Sequence, residues 1–120
     1  MIKTTIATTD VDLFGNSFTP EALEEIAKQI IGKKVTWEFQ HNIPDSNIVN
    51  ATVDEIGENY CLHAFIDSKT VEGMISGFKK NIFYFVPGYQ LQDGELKQAE
   101  LSITVSPSDP SLLDHDTTID

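Results

Sequence analysis

Arginine is missing from this chain of 120 residues, and lysine supplies all eight of its basic side chains against nineteen acidic ones, for a formal charge of −11. Without a guanidinium there is no planar fork for bidentate capture of phosphate or carboxylate. The negative field repels polyanions, so nucleic acid and anionic membrane are excluded as expected partners. A single cysteine, Cys61, rules out an internal disulfide and, lying in the apolar alternating run 60–66, reads as a structural thiol. No apolar run approaches the roughly 20 residues of a membrane span. The opening residues M-I-K-T-T-I-A-T-T lack the apolar core of a signal peptide, so a cytoplasmic location is expected.

What is present is ordinary globular material, 40% hydrophobic and 22% charged, in a length suited to one core. Residues 1–106 read as one domain, and the S-P-S-D-P-S turn formers followed by L-L-D-H-D-T-T-I-D read as a flexible acidic tail, 107–120. Ile2, Thr4, Ile6 and Thr8 are expected on one face of an opening strand. Thr19-Pro20-Glu21 supplies an N-cap, a first-turn proline and an acid at the positive end of a helix dipole. Leu23, Ile26, Ala27 and Ile30 then recur at helical spacing up to Gly32, the expected C-cap.

Val35 to Asn42, V-T-W-E-F-Q-H-N, alternates as a half-buried strand and presents His41 at its end. Ile48 to Ile56 resumes the alternation, with Val49, Ala51 and Val53 expected inward. Beyond Gly57-Glu58-Asn59, Tyr60, Leu62, Ala64 and Ile66 oppose Cys61, His63 and Phe65. His63, in mid-strand, reads as a satisfied side chain rather than a catalyst. Asp67-Ser68-Lys69 opens a second helix with Val71, Met74, Ile75 and Phe78 on one side, ending near Lys80. The aromatic run I-F-Y-F-V-P-G-Y-Q-L, interrupted by Pro87-Gly88, reads as an edge or bulged strand. Asp93-Gly94 is a hairpin turn dipeptide, and Leu96 to Val105 its returning strand. The expected architecture is α+β, a mostly antiparallel curled sheet or small β-barrel with two helices.

Neither metal nor cofactor is expected. Asp10, Asp12 and Asn16 lie near Gly15, but the glycine is misplaced for an EF-hand and no glutamate follows at loop position twelve. His115 between Asp114 and Asp116 is a triplet without a preorganised geometry.

Taken together, D-V-D-L-F-G-N before the first helix, the Q-H-N at 40–42, the paired strands over Asn47 to Ala64 and A-E-L-S-I-T-V-S-P-S-D-P over Ala99 to Pro110 resemble the prohead (capsid maturation) serine proteases of tailed bacteriophages. These are relatives in fold of the herpesvirus assemblins. The resemblance implies that His41 matches the family's catalytic base and Glu100 an acid often placed near it. It also implies a departure. The family's G-(L/F)-S-I-G-F serine corresponds here to Val86 in Y-F-V-P-G-Y, and valine has no atom that can attack a carbonyl. Three functions follow as expectations. One is a phage or prophage capsid-assembly protein without protease activity, binding a capsid or scaffold component in the host cytoplasm, with homodimerisation implied by the assemblins. Another is a serine endopeptidase with a relocated nucleophile, Ser102, Thr104 or Ser76, using His41. The third is an acidic interaction or inhibitor module that shares only the fold.

Overall fold

A computed structural model describes residues 1–11, 17–37, 40–77, 83–88, 91–92, 95–96, 100–105 and 117–119; after Ser76, side chains are described only for Leu101, Ile103, Thr118 and Ile119. The chain runs β1 (Ile2–Thr8), α1 (Pro20–Ile30), β2 (Thr36–Trp37), β3 (His41–Asn42), β4 (Asn47–Ile56), β5 (Asn59–Asp67) and α2 (Lys69–Gly77). It continues with β6 (Phe83–Gly88), β7 (Leu91–Gln92), β8 (Glu95–Leu96), β9 (Glu100–Val105) and β10 (Thr117–Ile119). The strands form two open four-stranded sheets, β10-β1-β5-β4 and β3-β2-β9-β6, and a ribbon β7-β8. The fold is α+β and mostly antiparallel, but among the described residues neither sheet closes into a barrel: β10, β4, β3 and β6 are the outer strands. One pair, β2 with β9, is parallel.

The first helix forms where its signals lie. The Thr19 hydroxyl accepts from the Ala22 N–H at 3.1 Å, satisfying one of the orphan donors of the first turn. Leu23, Ile26, Ala27 and Ile30 are buried against β4 and β5. The helix stops because Ile31 is extended (φ −60°, ψ 129°) and Gly32 has φ +87°. With the Lys33 N–H donating to the Ile30 carbonyl at 3.1 Å, Ile30–Lys33 is a type II turn, which requires positive φ at its third residue. Gly32 thus acts in this turn, and its N–H serves the Ile48 carbonyl at 2.8 Å.

The β4–β5 hairpin is the longest ladder, and Leu62, Ala64 and Ile66 of β5 join Ile2, Ile6, Ala7, Ile48, Val71, Leu101 and Ile103 in a single core. Two bulges displace the expected alternation. A register shift between Ile48 and Asn50 leaves Val49 exposed at 46% and brings Ile48 into phase with the half-buried Ala51 and Val53. A shift between Thr5 and Ala7 buries both Ile6 and Ala7 and turns Thr8 to the face of Cys61, its register partner.

The stretch 35–42 is not one strand. The Gln40 N–H donates to the Trp37 carbonyl at 3.0 Å, the chain folds back, and Trp37 pairs with His41, Thr36 with Asn42. Glu38 and Phe39 lie outside the described residues. In the second half, β6 is the edge strand its Pro87 predicts, antiparallel to β9. The register Gln92↔Glu95 leaves two residues for the tip at Asp93-Gly94. Within the expected tail, β10 pairs antiparallel with β1, Ile2 opposite Ile119. The β-branched T-T-I suits a free edge whose N–H and C=O groups need partners. Phe78 and Lys80, expected on the second helix, and His115 lie outside the described residues, as do Asp12 and Asn16 of the acidic loop.

Candidate functional site

The imidazole of His41 is carried by β3, an outer strand two residues long, and is exposed. Its hairpin is fixed from behind by a buried serine. Ile43-Pro44-Asp45-Ser46 is a β-turn, with proline at the second position and the Ser46 N–H donating to the Ile43 carbonyl at 3.1 Å. The Ser46 side chain, fully buried, accepts from the Val35 N–H at 2.8 Å and lies 2.7 Å from the Ile43 carbonyl, to which its own proton goes. The Ile43 N–H bonds to the Val35 carbonyl at 2.9 Å. One hydroxyl therefore ties both legs of the hairpin into the core. The adjacent Asp45 reaches α2: its carboxylate accepts from the Thr70 N–H at 3.1 Å and from the Ser68 hydroxyl at 3.2 Å. These bonds, the Thr70 ones first, hold its pKa below the ordinary value.

The register locates the other residues that the sequence singles out. His41, Trp37, Ile103 and Phe85 form one row of the second sheet; Asn42, Thr36, Ser102 and Val86 form the next. Val86 is thus three strands across and one row along from His41, about 15 Å measured through the sheet at the usual ~4.8 Å strand spacing. Ser102 and Thr104 are two strands across and one row away, about 10 Å, and Glu100, paired with Gly88, is about 14 Å away. Acid–base exchange between a hydroxyl and an imidazole requires contact at ~3 Å. The backbone does not bring His41 together with Glu100 or with position 86. Ser76 is exposed on α2.

A second constellation escaped the sequence. The His63 Nδ1 lies 2.8 Å from Asp54 Oδ2, which also accepts from the Thr52 hydroxyl at 2.9 Å. The imidazole is only 8% exposed while the carboxylate is 51% exposed. Thr52 is directly opposite His63 and Asp54 opposite Cys61, so the contact is a diagonal between β4 and β5 on the face away from Leu62 and Ala64. The His63 hydrogen bond, then the Thr52 hydroxyl, hold the Asp54 carboxyl below its ordinary 3.8, with the charges of His63 and Lys3 adding to the effect. The arrangement satisfies a buried ring nitrogen and links two strands. The spacing T-x-D facing H on the returning strand of a hairpin is the signal that could have found it.

Among the described residues there is no cluster of three or more metal-ligating side chains, and no helix is long and apolar enough to cross a membrane. Comparison of the chain with protein-family models, with curated proteins and with solved structures finds no match.

Proposed function

We propose that this chain is a protein-binding domain of phage or prophage head assembly, built on a prohead-protease-like plan and lacking its serine chemistry. The observation that carries the non-catalytic part is position 86: a valine stands where the resembled family has its nucleophile, on a strand that two others separate from the strand of His41. The head-assembly part rests on the residues that carry the resemblance, above all the closing stretch Ala99 to Pro110. With a charge of −11 and no arginine, the surface favours a basic protein partner over nucleic acid.

The test mixes the purified protein with a tailed-phage major capsid protein, taken from the same genome where one is encoded there. Co-migration in a density gradient, or an altered yield of proheads, without cleavage of either chain is the expected result. The absence of both co-migration and any effect on assembly would remove the proposal. A fluorophosphonate probe is expected to leave every serine unlabelled. Labelling abolished by His41→Ala would replace the proposal with the endopeptidase using Ser102, Thr104 or Ser76.

A further inference from the structure

The outer edge of β4 has a polarity that follows from hydrogen bonds on the far side of its neighbour. The Tyr60 N–H bonds to the Thr9 hydroxyl at 2.9 Å and the Tyr60 carbonyl accepts from the Thr9 N–H at 2.9 Å, so both backbone groups of Tyr60 face β1. Glu55 is opposite Tyr60. In an antiparallel ladder, a residue whose partner turns both groups away turns its own groups away as well. The N–H and C=O of Glu55 therefore point out of the sheet, as do those of Val53 and Ala51 at the same parity. Ile48, beyond the bulge, obeys the same pattern: both its groups bond outward to residues 32 and 33.

This edge is blunted at one end only. The bulge lies at Val49, residues 32–33 cover Ile48, and the Asn50 side chain accepts from the Ala51 N–H at 2.9 Å. From the Ala51 carbonyl through Val53 to Glu55, no bulge, proline or lysine protects the strand, and no backbone partner for it occurs among the described residues. Edges left in this state are templates for an added strand. The side chains decide which strand. Asp54, Glu55 and Glu58 are exposed along the edge and its turn, beside Ile56 at 54% exposure. Helix α1, packed on β4, turns Glu21, Glu24 and Glu25 to solvent. A second copy of the chain would set Asp54 and Glu55 against like charges, which is destabilising for directly opposed strands. A basic strand meets complementary charge instead.

We infer that the β4 edge from Ala51 to Ile56 is a docking site for an extended segment of a partner protein in which lysine or arginine alternates with apolar residues, added as a fifth strand. The inference rests on backbone geometry and not on the head-assembly reading, so its test and the capsid test fail independently.

The probe is a capped octapeptide of alternating lysine and valine, titrated into the full chain and followed by calorimetry and by amide hydrogen exchange. The expected result is salt-sensitive binding that slows exchange at Val53 and Glu55, absent for the peptide N-methylated at every backbone amide, which keeps its lysine charges but has no backbone N–H donors. Val53→Pro deletes an outward N–H that the β4–β5 ladder does not use, and should weaken binding by at least about tenfold; Glu55→Lys should weaken it and reduce its salt dependence. Should Val53→Pro fail to fold, the N-methylated peptide alone decides. No binding, equal binding of the N-methylated peptide, or binding without protection at residues 53 and 55 overturns the inference. Self-association that protects these amides without peptide overturns the choice of occupant.

Discussion

Replacing Ser46 by alanine tests whether the hairpin carrying His41 hangs on a single hydroxyl. In Ser46→Ala the Ile43 carbonyl keeps the residue-46 N–H and the Val35 carbonyl keeps the Ile43 N–H, so neither acceptor is stranded. The Val35 N–H loses its 2.8 Å partner, the one it has among the described residues, at a residue that is fully buried. An orphaned buried donor costs about 1–3 kcal/mol, and the lost O–H···O bond to Ile43 adds about 1 kcal/mol. The space vacated by one oxygen is too small for a water to repair the bond. The total is about 2–4 kcal/mol, or on the order of 10 °C in Tm for a domain of this size. Urea unfolding should show a lower midpoint at unchanged slope, and the Val35 amide should exchange faster. A variant within about 0.5 kcal/mol of the parent would refute the reasoning, because it would mean that the Val35 N–H is satisfied without Ser46.

Two further predictions follow from charge and backbone conformation. Because the folded-state pKa of Asp54 is depressed, its contribution to stability is present above the ordinary 3.8 and is lost as pH falls through the lower folded value. Asp54→Asn should therefore be less stable than the parent at pH 7, by under about 1 kcal/mol given the exposure of the carboxylate. The two urea midpoints should converge in acid; a gap that persists far below the folded pKa would contradict the linkage. Gly32→Ala meets no atom within 4 Å, so its cost is conformational alone at φ +87°. A loss of about 1–2 kcal/mol is expected in thermal unfolding, and an unchanged Tm would mean that the turn relaxes.

The elements with redundant local signals were legible. Three independent cues marked the start of α1, and four buried residues follow at the predicted spacing. The β4–β5 and β6–β9 pairings were readable from turn dipeptides and alternation, because period 2 specifies a face wherever one side is buried. What the sequence concealed were single-residue events. Bulges at Ile6 and Val49 insert one residue with no compositional mark, and each moves its neighbours to the other face. Trp37–Gln40 contains no glycine, proline or asparagine, so W-E-F-Q alternates like a strand although the Gln40 N–H returns to the Trp37 carbonyl. Long-range polar partners were equally hidden: Asp45 serves α2, and Asp54 meets His63 across a hairpin, where only the register brings them together. For the candidate site, local pattern placed His41 at the end of a strand that in fact folds back on itself, and the separation of His41 from Val86 depends on strand order, which local pattern does not encode.

That order also has a temporal side. The β4–β5 hairpin closes between neighbours and can form early, whereas β2 must wait for β9, on the opposite side of the chain's midpoint, before its parallel ladder exists. Loop-closure entropy makes such pairings slow. On a growing chain, the hairpin bearing His41 therefore leaves the ribosome with one flank unpaired and stays so until Glu100–Val105 has been made. The second sheet cannot be completed before β9 exists, and its assembly sets when any surface built on it becomes available.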